Sequence, residues 1–215
     1  TVEDPVEFNL GGINQVQVHD AIDLTFSSVL RSFLRQDPNI ILVGEIRDNE
    51  TAEIGVKAAL TGHLVLSTLH TNDAPSTVVR LVDMGIDAYL VATSVILIVA
   101  QRLVRRICTA CKEQIDVPIK ALVNAGFSEE EAASLTIYKG QGCPKCNNTG
   151  YKGRIALYEV MSISPTVRDM IISGAQVADI RNTAIEEGML TLRQSGLVKV
   201  RNGITTIEEV LRETF

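Results

Sequence analysis

Ile40-Ile41-Leu42-Val43-Gly44-Glu45-Ile46-Arg47-Asp48 is the stretch that decides the fold: four apolar residues in a row, without alternation, then glycine, then acid. Such a run suits a strand buried on both faces of a parallel sheet, and open α/β sheets carry their ligand sites at the carboxyl ends of these strands. Glu45 stands at that end. A carboxylate there, behind a glycine that lets backbone or ligand approach, can orient a water or hold hydrated Mg²⁺ beside a phosphate. The plainer alternative is an acidic residue that merely ends a strand in solvent.

Two other segments repeat the design. Thr1-Val2-Glu3-Asp4-Pro5-Val6-Glu7 is a strand end with two adjacent carboxylates before a proline that stops regular pairing. Thr61-Gly62-His63-Leu64-Val65-Leu66-Ser67-Thr68-Leu69-His70-Thr71 reads as a further buried strand with a histidine near each end. If the three strands are parallel neighbours, Glu3 or Asp4, Glu45 and His70 fall along one edge. His63 and His70 also have an ordinary reading, as satisfied imidazoles at strand ends.

These residues resemble the secretion ATPases that drive type II secretion and type IV pilus assembly. Thr1–Glu7 is similar to that family's aspartate box, Gly44–Asp48 with Glu50-Thr51-Ala52-Glu53 to its Walker B motif, and Thr61–Thr71 to its histidine box. Leu34-Arg35-Gln36-Asp37-Pro38, Ala100-Gln101-Arg102-Leu103 and the cysteine region extend the likeness over nearly the whole chain. The resemblance implies a RecA-like motor in a homo-hexameric ring that hydrolyses ATP with Mg²⁺ and turns an inner-membrane platform protein, from a cytoplasmic position peripheral to the inner membrane. It assigns Glu3, Glu45 and His70 to catalysis, and Asp4, Arg47 and His63 to the nucleotide and its metal. A water attacking the γ-phosphate would be positioned by Glu3 or Glu45, the other carboxylate would help to hold Mg²⁺, and His70 would sense the γ-phosphate. Which glutamate does which is open.

One motif of a phosphate-binding core is missing. A P-loop needs a glycine-rich turn followed by Lys and Ser or Thr, so that backbone N–H groups and the ammonium cradle phosphates. No Gly-Lys dipeptide occurs in the sequence; Gly11-Gly12 reads as a turn, and Gly140-Gln141-Gly142 runs into Cys-Pro-Lys-Cys. The expectation is a carboxyl-terminal part of a longer protein whose P-loop and amino-terminal domain lie upstream, inactive towards ATP by itself.

The four cysteines make two knuckles, Cys108-Thr-Ala-Cys111 and Cys143-Pro-Lys-Cys146. Using all four in Cys-x-x-Cys pairs is what a tetrahedral structural Zn²⁺ site requires. The insert between knuckles is longer than in a usual ribbon, and a helix over Ser128–Leu135 would occupy it. Four thiolates leave no open coordination position, so the site would staple a subdomain and do no chemistry. Disulfides or separate redox motifs are the alternatives.

The remaining layout follows from punctuation. Helices are predicted over Leu24–Arg35, Asn49–Leu60, Pro75–Met84 and, as one long buried helix, Ala88–Arg106. The thirteen apolar-rich residues Ala88–Ala100 fall short of the roughly twenty that span a membrane. Past Ser164-Pro165 the strand signals stop; Ser164 caps one helix, and Thr206 with Glu209 forms a capping box for the last. The expected class is α/β: a partial RecA-like core over 1–106, a tetracysteine subdomain over 107–156 and a helical subdomain over 157–215. With 215 residues, 46% hydrophobic and a net charge of −6, the chain can bury one or two cores and argues against a broad nucleic-acid surface. Arg31, Arg35 and Arg47 are candidates for stabilising a transferring phosphoryl group. Arg102, Arg105, Arg106 and Lys112 read as phosphate or partner contacts, or as a solvated helix end. A zinc-ribbon module without catalysis is the competing reading.

Overall fold

A computed structural model describes residues 1–214; Phe215, the last residue of the expected helical region, lies outside the described residues. The first part of the chain forms β1 (Val2–Glu3), β2 (Val16–Gln17), α1 (Phe26–Phe33), β3 (Ile40–Val43), α2 (Asn49–Leu60), β4 (Leu64–Ser67), α3 (Ala74–Asp83) and α4 (Ala88–Ser94). Then come β5 (Leu97–Ile107), β6 (Lys112–Ile115), α5 (Ile119–Ala125), α6 (Glu129–Ser134), β7 (Ile137–Gly140) and β8 (Tyr151–Ser162). The last part is helical: α7 (Pro165–Ile172), α8 (Val177–Glu186), α9 (Leu192–Arg201) and α10 (Ile207–Glu213).

Two compact units result. The first comprises Thr1–Ile98 and Met161–Ala184, the second Val99–Val160 and Ile185 onward. These units cut across the three-part division at 106 and 156 read from the sequence, because the chain passes from one to the other inside β5 and again inside β8.

The first unit is built on a sheet of order β2-β1-β3-β4 with all pairs parallel. Its register sets Ile40 opposite Leu64 and Val43 opposite Ser67, while Val2 faces Val43. Helices start where short polar side chains accept the first free N–H groups. Thr25 and Ser28 cap reciprocally at α1, Asp48 accepts from Thr51 N–H at 2.8 Å at α2, and Asp73 accepts from Ser76 N–H at 2.8 Å at α3. α1 and α2 bury Val29, Leu30 and Ala58 against Val2, Ile41 and Val43.

The expectation that β3 is buried on both faces is corrected. Ile41 and Val43 are fully buried, but Ile40 is 63% exposed, and Leu64 and Leu66 beside it on β4 are 44% and 46% exposed. Side chains alternate across a strand, so the helices cover one face and leave Ile40, Leu64 and Leu66 on the other.

The long helix expected over Ala88–Arg106 is also corrected. α4 ends at Ser94 and an eleven-residue strand, β5, follows. Val95, Ile96, Ile98 and Val99 are β-branched and lose χ1 freedom in a helix, and from Leu97 burial alternates, with Ile98 and Val104 inside and Leu97, Val99 and Leu103 outside. Hydrophobicity alone concealed a two-residue period.

In the second unit β6 and β7 pair antiparallel, from Lys112 opposite Gly140 to Ile115 opposite Ile137. Their inner residues join α5, α6, α9 and α10 in a core of Leu122, Phe127, Ile137, Leu197, Val200 and Val210. Ser128 caps α6 in the cysteine insert, as expected, and Thr206 caps α10 by accepting from Glu209 N–H at 3.3 Å. The Glu209 carboxylate does not return to its own helix start; it turns to Arg105.

Candidate functional site

Because β1, β3 and β4 run parallel, their carboxyl ends deliver Glu3, Glu45 and His70 to one edge, as the sequence predicts. Gly44 is the joint. Its N–H donates to Val2 O at 2.8 Å, and a Cβ there would stand 3.1 Å from Val2 O and 3.3 Å from Glu3 Cα. The glycine therefore admits the backbone of β1. Beside it, Thr68 donates through Oγ1 to Gly44 O at 2.6 Å, and Thr68 O accepts from Ile46 N–H at 2.9 Å, so the backbone on both sides of Glu45 is fixed to the strand that leads to His70.

Glu45 is the centre of a charged network. Its side chain is only 15% exposed; Oε1 accepts from Arg47 at 2.6 Å, and Oε2 lies 3.1 Å from His70 Nε2. The second terminal nitrogen of Arg47 reaches Asp4 Oδ2 at 3.3 Å. The Arg47 hydrogen bond, aided by His70 and opposed by burial, holds the Glu45 carboxyl below the ordinary carboxylate range. Arg47 is raised in turn, chiefly by its bond to Glu45. Glu3 is also held low, by hydrogen bonds from Thr1 Oγ1 and from Gln15, whose Nε2 donates at 3.1 Å. Two ionised carboxylates thus stand at adjacent strand ends, suited to accept a water proton or to face a hard cation.

His63 is not brought to this edge. Its Nδ1 lies 3.0 Å from Ala58 O and 3.2 Å from Thr61 Oγ1, at the end of α2 and the start of β4. Four strand residues at roughly 3.3 Å each separate it from the carboxyl end. Arg31 is engaged by Glu50 at 2.6 Å on an exposed surface, and Arg35 is exposed. Of the three candidate arginines, Arg47 alone has a hydrogen bond to the acidic edge among the described residues.

The four cysteines converge in the second unit, with all four sulfurs within 4.8 Å of one another. Cys108 and Cys143 are 3.9 Å apart, as are Cys111 and Cys146, and Cys143 and Cys146 are 3.7 Å apart. Sulfurs at the corners of a tetrahedron with metal–sulfur bonds of 2.3 Å would be about 3.8 Å apart, whereas a disulfide needs about 2.05 Å. The thiols are free of disulfides. Burial opposes ionisation of Cys146, yet N–H donors of Cys143 at 3.2 Å and Gly150 at 3.3 Å bring its thiol down to about 6. The donor set fits a metal ion held by sulfur alone.

Glycines make the knuckles possible. A Cβ on Gly140 or on Gly150 would run into the other residue's backbone, Gly150 has φ +76°, and a Cβ on Gly142 would stand 2.8 Å from Asn148 O. The close approach lets Cys108 N–H reach Gly150 O at 2.9 Å and Gln141 N–H reach Cys111 O at 3.0 Å. In the sequence Gly140 and Gly142 look like a broken phosphate motif; their use is to let two chain segments touch.

Of the basic run, Arg102, Arg105 and Arg106 lie on β5 and Lys112 opens β6, none of them at a helix end. Arg105 donates from its backbone N–H and its Nε to Glu209 Oε2, both at 3.0 Å, and stacks over the Tyr151 ring at 4.1 Å. Arg105 is thereby committed to structure. Sequence reasoning missed this pair, and missed Thr68 and Gln15, because nothing in a single chain marks which distant carboxylate or backbone carbonyl a polar side chain will meet.

The sequence model of the family described as "Type II/IV secretion system protein" matches residues 1–212. The chain is 58% identical over 215 residues to the type IV pilus assembly ATPase PilB of Myxococcus xanthus, with 100% of this chain and 38% of that protein covered. It is 46% identical over 216 residues to the type II secretion system ATPase E of Vibrio cholerae serotype O1, with 100% and 42% covered. It thus spans about two-fifths of the length of these curated relatives. The crystal structure of the pilus retraction motor PilT with bound ADP superposes with a TM-score of 0.69 at 26% identity, over 99% of this chain and 51% of that one. The ATPase DotB of Legionella pneumophila shares the fold, with a TM-score of 0.68 at 23% identity, over 98% and 49%.

Proposed function

Since the chain belongs to the Type II/IV secretion system protein family, we propose that it carries the acidic half of an ATPase site whose parent protein powers type IV pilus assembly or type II secretion. The observation that supports this reading most is the edge where Glu45 is bound by Arg47 and His70, with Asp4 on the same arginine and Glu3 on the adjacent strand. Ionised carboxylates at the ends of parallel strands are what an in-line attack of water on a γ-phosphate needs on its nucleophile side.

In this reading a glutamate of the pair accepts or orients the proton of the attacking water. Glu45 has to exchange Arg47 or His70 for that task, and the released guanidinium is then free to meet phosphate oxygens. His70, whose side chain is 90% exposed beside Glu45, would contact the terminal phosphate in this reading. Glu3, Asp4 and Glu45 offer the hard oxygen donors that Mg²⁺ prefers; when bound with the nucleotide it would neutralise phosphate charge. The four cysteines would hold Zn²⁺ in a closed, structural site. The parent protein would work as a homo-hexamer at the cytoplasmic side of the inner membrane and act on a platform protein there. Among the described residues no helix is long and apolar enough to cross a membrane.

The test is Mg²⁺-dependent ATP hydrolysis by the chain extended upstream through a P-loop, compared with its Glu45→Gln variant. The expected loss is about a hundredfold or more, and the 215-residue chain alone is expected to show no turnover. An extended protein that hydrolyses ATP equally well with and without Glu45→Gln overturns the proposed role of Glu45. One that is folded and metal-loaded yet inert makes a zinc-bearing adaptor the better account.

A further inference from the structure

We propose that Gln15 is a positioning residue that aims the Glu3 carboxylate and makes its orientation depend on the loop Phe8–Ile13. The proposal rests on the ATPase reading above, although its structural half can be tested without it.

Gln15 lies just before β2, whose pairing with β1 sets Val16 opposite Val2 and Gln17 opposite Glu3. Its amide makes three contacts. Oε1 accepts from Leu10 N–H at 2.7 Å, while Nε2 donates to Phe8 O at 3.1 Å and to Glu3 Oε1 at 3.1 Å. These partners fix which end of the amide is which, because only the oxygen can meet an N–H and only the nitrogen can meet a carbonyl and a carboxylate. Both donors that reach the Glu3 carboxylate among the described residues, Thr1 Oγ1 and Gln15 Nε2, meet Oε1. One oxygen is pinned by two donors, so rotation about the carboxyl is restricted.

The same amide holds two backbone groups of a loop with no regular structure of its own. Phe8, Leu10 and Ile13 are 77%, 53% and 46% exposed there. A shift of the Leu10 N–H or the Phe8 carbonyl moves the amide, and the amide carries the donor on Glu3 with it. Thr68 performs a comparable service near Glu45, but its Oγ1 holds the Gly44 carbonyl and not the carboxylate; Gln15 touches the Glu3 carboxylate itself, and its effect is separable from strand pairing.

The experiment has two readouts. The first is ¹³C NMR titration of the Glu3 carboxyl in the 215-residue chain, native and with Gln15→Leu or Gln15→Glu. The near-isosteric Gln15→Glu guards against misfolding, since it keeps the acceptor for Leu10 N–H while placing a carboxylate where Nε2 was. The Glu3 midpoint is expected to rise in both variants, because a donor to the ionised form is lost. The second readout is ATP hydrolysis by the P-loop-containing chain, with kcat expected to fall about tenfold or more, KM for ATP to stay within about twofold, and the acidic limb of the pH profile to move up. An unmoved Glu3 midpoint overturns the proposal, and so, where Glu3→Gln abolishes turnover, does a kcat per folded molecule and an acidic limb that match the native protein. If the midpoint moves but Glu3→Gln itself leaves turnover intact, the positioning stands and the catalytic reading of Glu3 is what has failed.

Discussion

Glu209 shows how far a single carboxylate's behaviour depends on what surrounds it. It is 1% exposed, and burial alone would push its carboxyl up. The Arg105 hydrogen bonds, with Arg212 adding charge at 3.0 Å, reverse that and hold it below the ordinary range. A carboxyl lowered on folding contributes stability above its unfolded value of about 4.3, and that contribution is lost as pH falls through the folded value. Stability measured by denaturant should therefore decline in acid. Glu209→Gln should flatten that decline and lower stability at pH 7 by about 2–3 kcal/mol. The cost should fall below the roughly 3–5 kcal/mol of a fully buried pair because the Arg105 and Arg212 side chains are 43% and 52% exposed and can resolvate. An unchanged pH slope in Glu209→Gln would show that the network carries no linkage. Glu45 has the same sign but a different use, since a carboxyl held low by Arg47 stays ionised and ready for exchange at neutral pH.

Elements record which features the sequence could convey. Helix starts were legible because they are local: Ser164 before Pro165 reads as a cap and does accept from Val167 N–H, just as Asp73 accepts from Ser76 N–H. That residue has a second task no local reading reveals, an ion pair with Arg181 at 2.8 Å across 108 residues. Burial of the Asp73 carboxyl is outweighed by the Ser76 and Arg181 bonds, which keep it low. Asp73→Ala should cost about 1–2 kcal/mol through the lost cap and stranded arginine, and Asp73→Asn, which keeps a capping oxygen, should recover part of it in the same unfolding assay. Equal losses for the two would mean that capping contributes nothing here. The parallel strands and their acidic ends were legible from the unbroken apolar run, the glycine and the acid at 40–45. The strand β5 was not, since an apolar stretch of that length fits a buried helix until its period is counted. The contacts of Gln15 and Arg105 with their carboxylates escaped altogether, being set by packing rather than by spacing.

At the scale of the molecule, the four-cysteine cluster and the division into units bear on stability. Thiolates this close repel one another without a cation between them, so a chelator that removes the zinc proposed for this cluster should loosen the second unit. Its unfolding temperature should drop by at least about 5 °C and recover when zinc is returned; a metal-free chain with an unaltered transition would leave the cysteines without a stabilising role. One face of the sheet leaves Ile40, Leu64 and Leu66 44–63% exposed. The interleaving of the two units bears on how the protein is made. The ribosome releases residues 1–98 first, but the first unit also needs Met161–Ala184, which arrive only after the whole of Val99–Val160 has been polymerised. At roughly 5–20 residues per second, that leaves a first unit without α7 waiting for seconds during every round of translation. Nascent chains stalled before residue 160 should thus be the species that molecular chaperones recognise.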